Sequence, residues 1–241
     1  MTITESTLIA DIAADVPSSV RVFQRYSVDF CCGGKRPLAV ACEEQGLSFP
    51  EIRHEIELVA AGPATSQRDW ATASLHDLTE HIVTTYHDPL REEMPRLEAM
   101  AARVARVHGQ KAPRLLDRIE AIVSELSTDL VDHMRKEETV LFPVIRGIEN
   151  GGRSPIPLDR PIHVMELEHD HAGELLAELR SLTRGYVPPD WACATARALY
   201  QGLAELEASM HVHVHLENNV LFPRAIALAA SGAEEANRVV K

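Results

Sequence analysis

The sequence predicts an all-α protein: an antiparallel four-helix bundle preceded by a small helical N-terminal domain. Three observations carry this. Four long segments of helical periodicity follow one another, at roughly 74–108, 113–148, 159–184 and 190–230. The breaks between them, VHGQKAP, NGGRSPIPLDRP and GYVPPD, are rich in the glycine and proline that stop helices. The chain also repeats itself. HMRKEETVLFP from His133 and HVHLENNVLFP from His213 both read His-x-x-x-Glu-x-x-Val-Leu-Phe-Pro. Helices joined by short or medium connections pack most simply as an antiparallel bundle.

Residues 1–62 form the predicted N-terminal domain and 70–230 the bundle, with AAGPATSQRDW (60–70) as the linker. Pro17 and Pro37 suit first helical turns, and SFPE at 48–51 has the form of a capping box. In VDFCCGGKRPLAV, Cys31 and Cys32 precede a helix expected near Pro37, beside Lys35 and Arg36. Helix N-termini and basic neighbours lower thiol pKa values, so this pair is a candidate reactive site. Gly33 and Gly34 allow backbone geometry that other residues resist. The competing reading is a tight turn with buried thiols. Cys42 and Cys193 fit small core positions.

The histidines can be placed on the helices, which turn about 100° per residue. On the fourth helix the apolar stripe runs Leu199, Leu203, Leu206, Met210, Val214, Leu221. His213 and Glu217 fall inside it; His211 and His215 project away, so that pair is expected to face solvent. On the second helix, His133 and Glu137 lie within the stripe of Ile119, Val123, Leu126, Leu130, Leu141 and Val144. On the third, His169 shares a face with Ile162, Met165, Ala172 and Leu176, whereas His163 and His171 point elsewhere. On the first, Val83, Leu90 and Met94 flank His87, and His81 lies off the stripe. In an antiparallel hairpin two residues are level when their midpoint falls at the turn. For His87 and His133 that midpoint is 110, and for His169 and His213 it is 191, each within or beside a break. His108 lies about 31 Å along the helix from His87 at a 1.5 Å rise per residue, and cannot share its ligand.

Composition narrows the function. A formal charge of -12 disfavours binding to nucleic acid phosphates. No run of about eighteen apolar residues offers a membrane span. The start, MTITESTLIADIAADVP, carries acids where a signal peptide needs bases. Four cysteines without a disulfide framework fit a reducing, cytoplasmic setting.

Four buried histidines and two buried glutamates converging at one level point to a metal, because buried carboxylates without cations are very costly. Nitrogen and carboxylate donors without thiolate exclude an iron–sulfur cluster and suit a pair of octahedral ions better than one tetrahedral zinc. Bundle cores with inward Glu and His house di-iron sites, and two bridging glutamates with four imidazoles would supply about eight donor atoms.

The pattern His87…His133-x-x-x-Glu137…His169…His213-x-x-x-Glu217 resembles the hemerythrin-like domains. With DFCCGG at 29–34 ahead of it, nearly the whole chain is similar to the repair-of-iron-centres family, the YtfE/ScdA/DnrN-like di-iron proteins. That resemblance implies two non-haem iron ions, oxo- and carboxylate-bridged, and a role in restoring iron–sulfur clusters damaged by nitric oxide or peroxide. It implies damaged or apo iron–sulfur proteins as partners, and nitric oxide or oxygen as small ligands. Iron donation is the activity expected, with nitric oxide reduction at the di-iron site and oxygen or nitric oxide sensing as the alternatives. The resemblance also favours a functional role for Cys31 and Cys32. Oxygen-carrying hemerythrins use five histidines; fewer imidazoles and more carboxylate here imply a more labile centre.

Overall fold

In the computed structural model, which describes residues 2–61, 69–152, 154 and 156–239, the named elements are all helical. Among these residues the one departure is an isolated antiparallel bridge between Leu8 and Pro37. The linker expected at 60–70 lies mostly outside the described residues. The chain divides into two compact units, Met1–Thr79 with Ile145–Leu158 and His211–Lys241, and Glu80–Val144 with Asp159–Met210.

The first unit opens with α1 (Ile9–Asp15), α2 (Val20–Tyr26), α3 (Leu38–Gln45) and α4 (Phe49–Ala61). Pro17 starts a 3-10 turn between α1 and α2, and Pro37 stands at the N-cap of α3, so both prolines mark helix starts. Gly46 ends α3 at φ +67°. Its N–H bonds Glu43 O at 3.1 Å and that of Leu47 bonds Cys42 O at 2.8 Å, the paired bonds of a Schellman stop. Leu47 then packs onto the unit's core, where Ile9, Ile12, Phe23, Phe30, Leu38, Ile52 and Ile56 are all but completely buried. The Phe23 and Phe30 rings stack with centroids 5.9 Å apart. In the same unit Glu149, the last residue of α8 (Phe142–Glu149), accepts the N–H groups of Leu75 and His76 at 2.6 and 2.8 Å. That caps the start of α5 (Leu75–Ile82). Arg224, near the start of α11 (Phe222–Val239), donates to Trp70 O and Ala73 O.

The second unit is built on α6 (Asp88–His108), α7 (Pro113–Lys136), α9 (Asp159–Leu182) and α10 (Ala194–His215). The α6–α7 turn falls at 109–112, around the midpoint predicted for His87 and His133. Side chains tie the helices into a ring. Ser127 on α7 donates to Glu98 on α6 at 2.9 Å, and Arg118 on α7 forks onto Glu178 on α9 at 2.7 and 2.6 Å. Arg180 on α9 forks onto the buried Glu207 of α10. On α10, Gly202 lets the backbone approach α6, since a Cβ there would lie 2.7 Å from Leu97 Cδ2.

Three of the four long helical runs are widened by a π-turn, at Val83–His87, Glu137–Leu141 and Leu216–Leu221. Each is closed by an i→i−5 bond, Asp88 to Val83 O, Phe142 to Glu137 O and Phe222 to Glu217 O. A proline follows immediately in every case: Pro89, Pro143 and Pro223. Proline lacks an N–H and its ring collides with the i−4 carbonyl; an extra residue in the turn moves that carbonyl aside. Of the positions singled out by periodicity, His87 ends the first of these turns, Glu137 begins the second and Glu217 is the second residue of the third.

Candidate metal centre

In the second unit, His87 closes the first π-turn and Glu137 opens the second, with His133 one helical turn before Glu137 and His169 on α9. His87 and Glu137 are fully buried, and His133 and His169 nearly so. One Glu137 oxygen lies 3.4 Å from Nε2 of both His87 and His133. The Nε2 atoms of His133 and His169 converge to 3.0 Å. Two nitrogens bound cis at about 2.1 Å to one octahedral ion are separated by about 3.0 Å, so this spacing fits a shared cation. Ligand atoms of His133, Glu137 and His169 all lie within 4.8 Å of one another.

The outward nitrogens are held as firmly. His87 Nδ1 pairs with Glu138 at 2.7 Å, and Arg91 bonds the same carboxylate oxygen. His133 Nδ1 pairs with Glu168 at 2.9 Å, and Lys136 bonds the other oxygen. Burial pushes the Glu138 carboxyl up, but hydrogen bonds with His87 and Arg91 outweigh it and hold it below its ordinary value. The His133 hydrogen bond, with help from Lys136 and against partial burial, brings Glu168 down to about 2. A carboxylate on Nδ1 fixes the tautomer that leaves Nε2 as the donor atom toward the interior. Phe142 stacks on the His87 ring at 5.8 Å and holds its plane. Periodicity identified His87 and His133 but missed Glu138 and Glu168; their position next to Glu137 and His169 was the available signal.

In the first unit, His213 and Glu217 are again buried, with Nε2 and Oε1 at 3.0 Å across one turn of helix. His211 and His215 do not join that contact, as the helical reading requires, but their expected exposure is wrong for His215. It is buried, with its Nδ1 3.0 Å from Asn219 Nδ2 and its ring 5.7 Å from that of Phe30. His211 is half-buried against the same phenylalanine at 6.0 Å. The helix does turn them away from its apolar stripe, and the Phe30 loop then covers that face. Burial brings the His215 imidazole down to about 4. Asn219 also reaches Phe30 O at 3.0 Å and Cys31 O at 3.4 Å, anchoring the cysteine loop to this helical run.

The cysteine loop closes on Asp29. Its carboxylate accepts the N–H groups of Cys31, Cys32 and Gly33 at 3.0, 3.1 and 2.8 Å, and the Cys31 thiol at 3.3 Å. A Cβ on Gly33 would sit 2.9 Å from that carboxylate. The expected lowering of thiol pKa is not found at Cys31, which is buried and raised well above its ordinary value by hydrogen bonding to Cys32, by burial and by Asp29. The N–H groups that would stabilise a thiolate are bound to Asp29, and Arg36 pairs with Glu44. Cys42 is buried as expected, whereas Cys193 is exposed at the start of α10. His163 and His171 are exposed, as expected; His171 stands by Glu125 and Asp129 at 3.3 and 3.6 Å on the surface.

Comparison with known proteins places these features. Residues 78–225 match the Hemerythrin HHE cation binding domain. Residues 5–60 match ScdA_N, described as a Domain of Unknown function (DUF542). The chain is 42% identical over 221 residues to the iron-sulfur cluster repair protein YtfE of Pectobacterium carotovorum subsp. carotovorum (strain PC1), covering 90% of this chain and 96% of the relative. It is 41% identical over 222 residues to the protein of that name from Cronobacter sakazakii (strain ATCC BAA-894), covering 91% and 96%. The figures for the Citrobacter koseri (strain ATCC BAA-895 / CDC 4225-83 / SGSC4696) protein are 39% over 219 residues, 91% and 96%.

Proposed function

Because this chain belongs to the family of the iron–sulfur cluster repair proteins YtfE and carries a hemerythrin HHE domain, we propose that it repairs iron–sulfur clusters damaged by nitrosative or oxidative stress. It does so by donating iron held at His87, His133, Glu137, His169, His213 and Glu217. The observation that carries the iron reading is Glu137, a carboxylate buried to 0% exposure with an imidazole nitrogen 3.4 Å away on either side. Such a group suits a bridge between cations and is costly as a lone buried anion. Glu217, equally buried beside His213 in the repeated motif, would serve as a further carboxylate donor. Two such carboxylates with four imidazoles would suit a pair of iron ions.

Bound iron would supply coordination positions open to nitric oxide or oxygen, and the ion that a damaged cluster lacks. The protein's part is to hold and release it. Glu138 and Glu168 orient His87 and His133 through Nδ1, while Arg91 and Lys136 offset the charge those carboxylates add. Two carboxylates among four imidazoles make a harder, less tenacious donor set than imidazole alone. Residues 70–230 form the iron-binding bundle and 1–62 the domain that presents Cys31 and Cys32. Cys31, buried and with its thiol raised well above its ordinary value, is not a standing nucleophile, and its part in repair is taken together with the half-buried Cys32. The four free cysteines suit a cytoplasmic protein.

The test loads the protein with iron and offers it an apo cluster protein in the presence of chelator. Cluster recovery is expected to exceed that with free iron, and to be lost in Glu137→Ala and Glu217→Ala. Equal recovery with free iron counts against donation; steady nitric oxide consumption with an electron donor would establish a reductase instead. Cys31→Ser with Cys32→Ser is expected to bind iron normally and lose repair.

A further inference from the structure

At the start of α10, Cys193 is the one exposed cysteine of the four; Cys31 and Cys42 are buried and Cys32 is half-buried. Its thiol does not stand alone. His108, the last residue of α6, places Nε2 3.2 Å from Cys193 Sγ. On the other side of that imidazole lies Trp191, with ring centroids 5.2 Å apart and planes tilted by 37°. The thiol stands at the N-terminal end of α10, just ahead of its first residue, Ala194. A base in contact, an open approach and a place at a helix N-terminus together make a nucleophilic thiol.

We propose that Cys193 and His108 form a surface thiol–imidazole pair that exchanges with low-molecular-weight disulfides, making Cys193 a site of reversible S-thiolation. The step balances without another oxidant. Cys193 passes its proton to His108 Nε2, and the thiolate attacks one sulfur of the disulfide R–S–S–R. The S–S bond of the reagent breaks as the new one forms, and the departing RS⁻ takes the proton from His108. The small-molecule disulfide is half-reduced, to one thiol, and the protein thiol is oxidised to the mixed disulfide. A second small thiol reverses the exchange. None of these groups belongs to the proposed iron ligands, so the pair acts independently of the metal.

The size of the effect follows from two opposed terms. Hydrogen bonds from the Ala196 N–H and from His108, with Thr195 adding to them, bring the thiol from 9.0 to about 7. At pH 7 roughly half is thiolate, against about one part in a hundred for an ordinary thiol of that class, a gain of about fiftyfold. The lower basicity costs about tenfold in intrinsic nucleophilicity, leaving a net advantage of about fivefold.

The experiment treats the iron-loaded full chain with oxidised glutathione over a range of pH, and follows adducts by intact mass and peptide mapping. One glutathionyl group is expected on Cys193, added at pH 7 about fivefold faster than to the urea-unfolded chain, with the rate rising through a midpoint near 7. His108→Ala is expected to slow the reaction at neutral pH and move the midpoint upward, with circular dichroism and iron content unchanged. Cys193→Ser should remove the adduct. An adduct on Cys32 instead, a folded chain no faster than the unfolded one, or a midpoint indifferent to His108→Ala each overturns the proposal.

Discussion

At His87 and His133 the ring is gripped by its far nitrogen, and the grip comes from a different helix in each case. Glu138 on the second helical run serves His87 on the first, and Glu168 on the third serves His133 on the second. Each carboxylate sits beside a proposed ligand in sequence but assists a histidine elsewhere. We expect Glu138→Gln and Glu168→Gln to retain the fold and weaken iron binding by about 10–100-fold, read by competition with a chelator. The inward residues themselves were legible, because a period of four within an apolar stripe shows which side chains leave the helix toward the core. His87, His133, Glu137, His169, His213 and Glu217 are all buried as that period requires. Their partners were not legible, because no pattern within one helix says which side chain of the next will meet it.

Helix ends and turns follow local chemistry, and most were readable from it. Pro113 opens α7 and Gly46 ends α3, each where its backbone preference places it. Gly46 has open space where a Cβ would go, so replacing it tests conformation alone. Gly46→Ala is expected to destabilise the protein by about 1 kcal/mol, through the strain of an L-residue at positive φ, and to lower the thermal midpoint without changing iron content. The π-turns were less legible, although Pro89, Pro143 and Pro223 announced them. A uniform 100° step treats Phe-Pro as a possible stop, whereas the helical runs continue by taking one extra residue into the turn. The second turn begins at Glu137 and the third one residue before Glu217, so the same proline that forbids a regular ladder also sets how each glutamate's run resumes.

For the molecule as a whole, iron is expected to act as a stabilising ligand because the folded chain presents the donor set and the unfolded chain does not. Removal by chelator should lower the thermal midpoint, and free iron at a hundredfold excess over its dissociation constant should restore about 2.7 kcal/mol per ion bound. Titration against circular dichroism checks this, with an endpoint of two ions per chain. A midpoint indifferent to iron would argue against a bound centre. Among the described residues no helix is long and apolar enough to cross a membrane, in keeping with the hydropathy of the sequence. The sequence by itself determined the helical class, the duplicated His-x-x-x-Glu blocks and the identity of the inward residues, since amphipathic period and stop residues act along a single helix. Tertiary structure alone decided that His215 is buried, that the Cys31 thiol is held protonated and that Cys193 is open beside His108. Periodicity reports the direction in which a side chain leaves its own helix; exposure and proton affinity depend on which other segment arrives there.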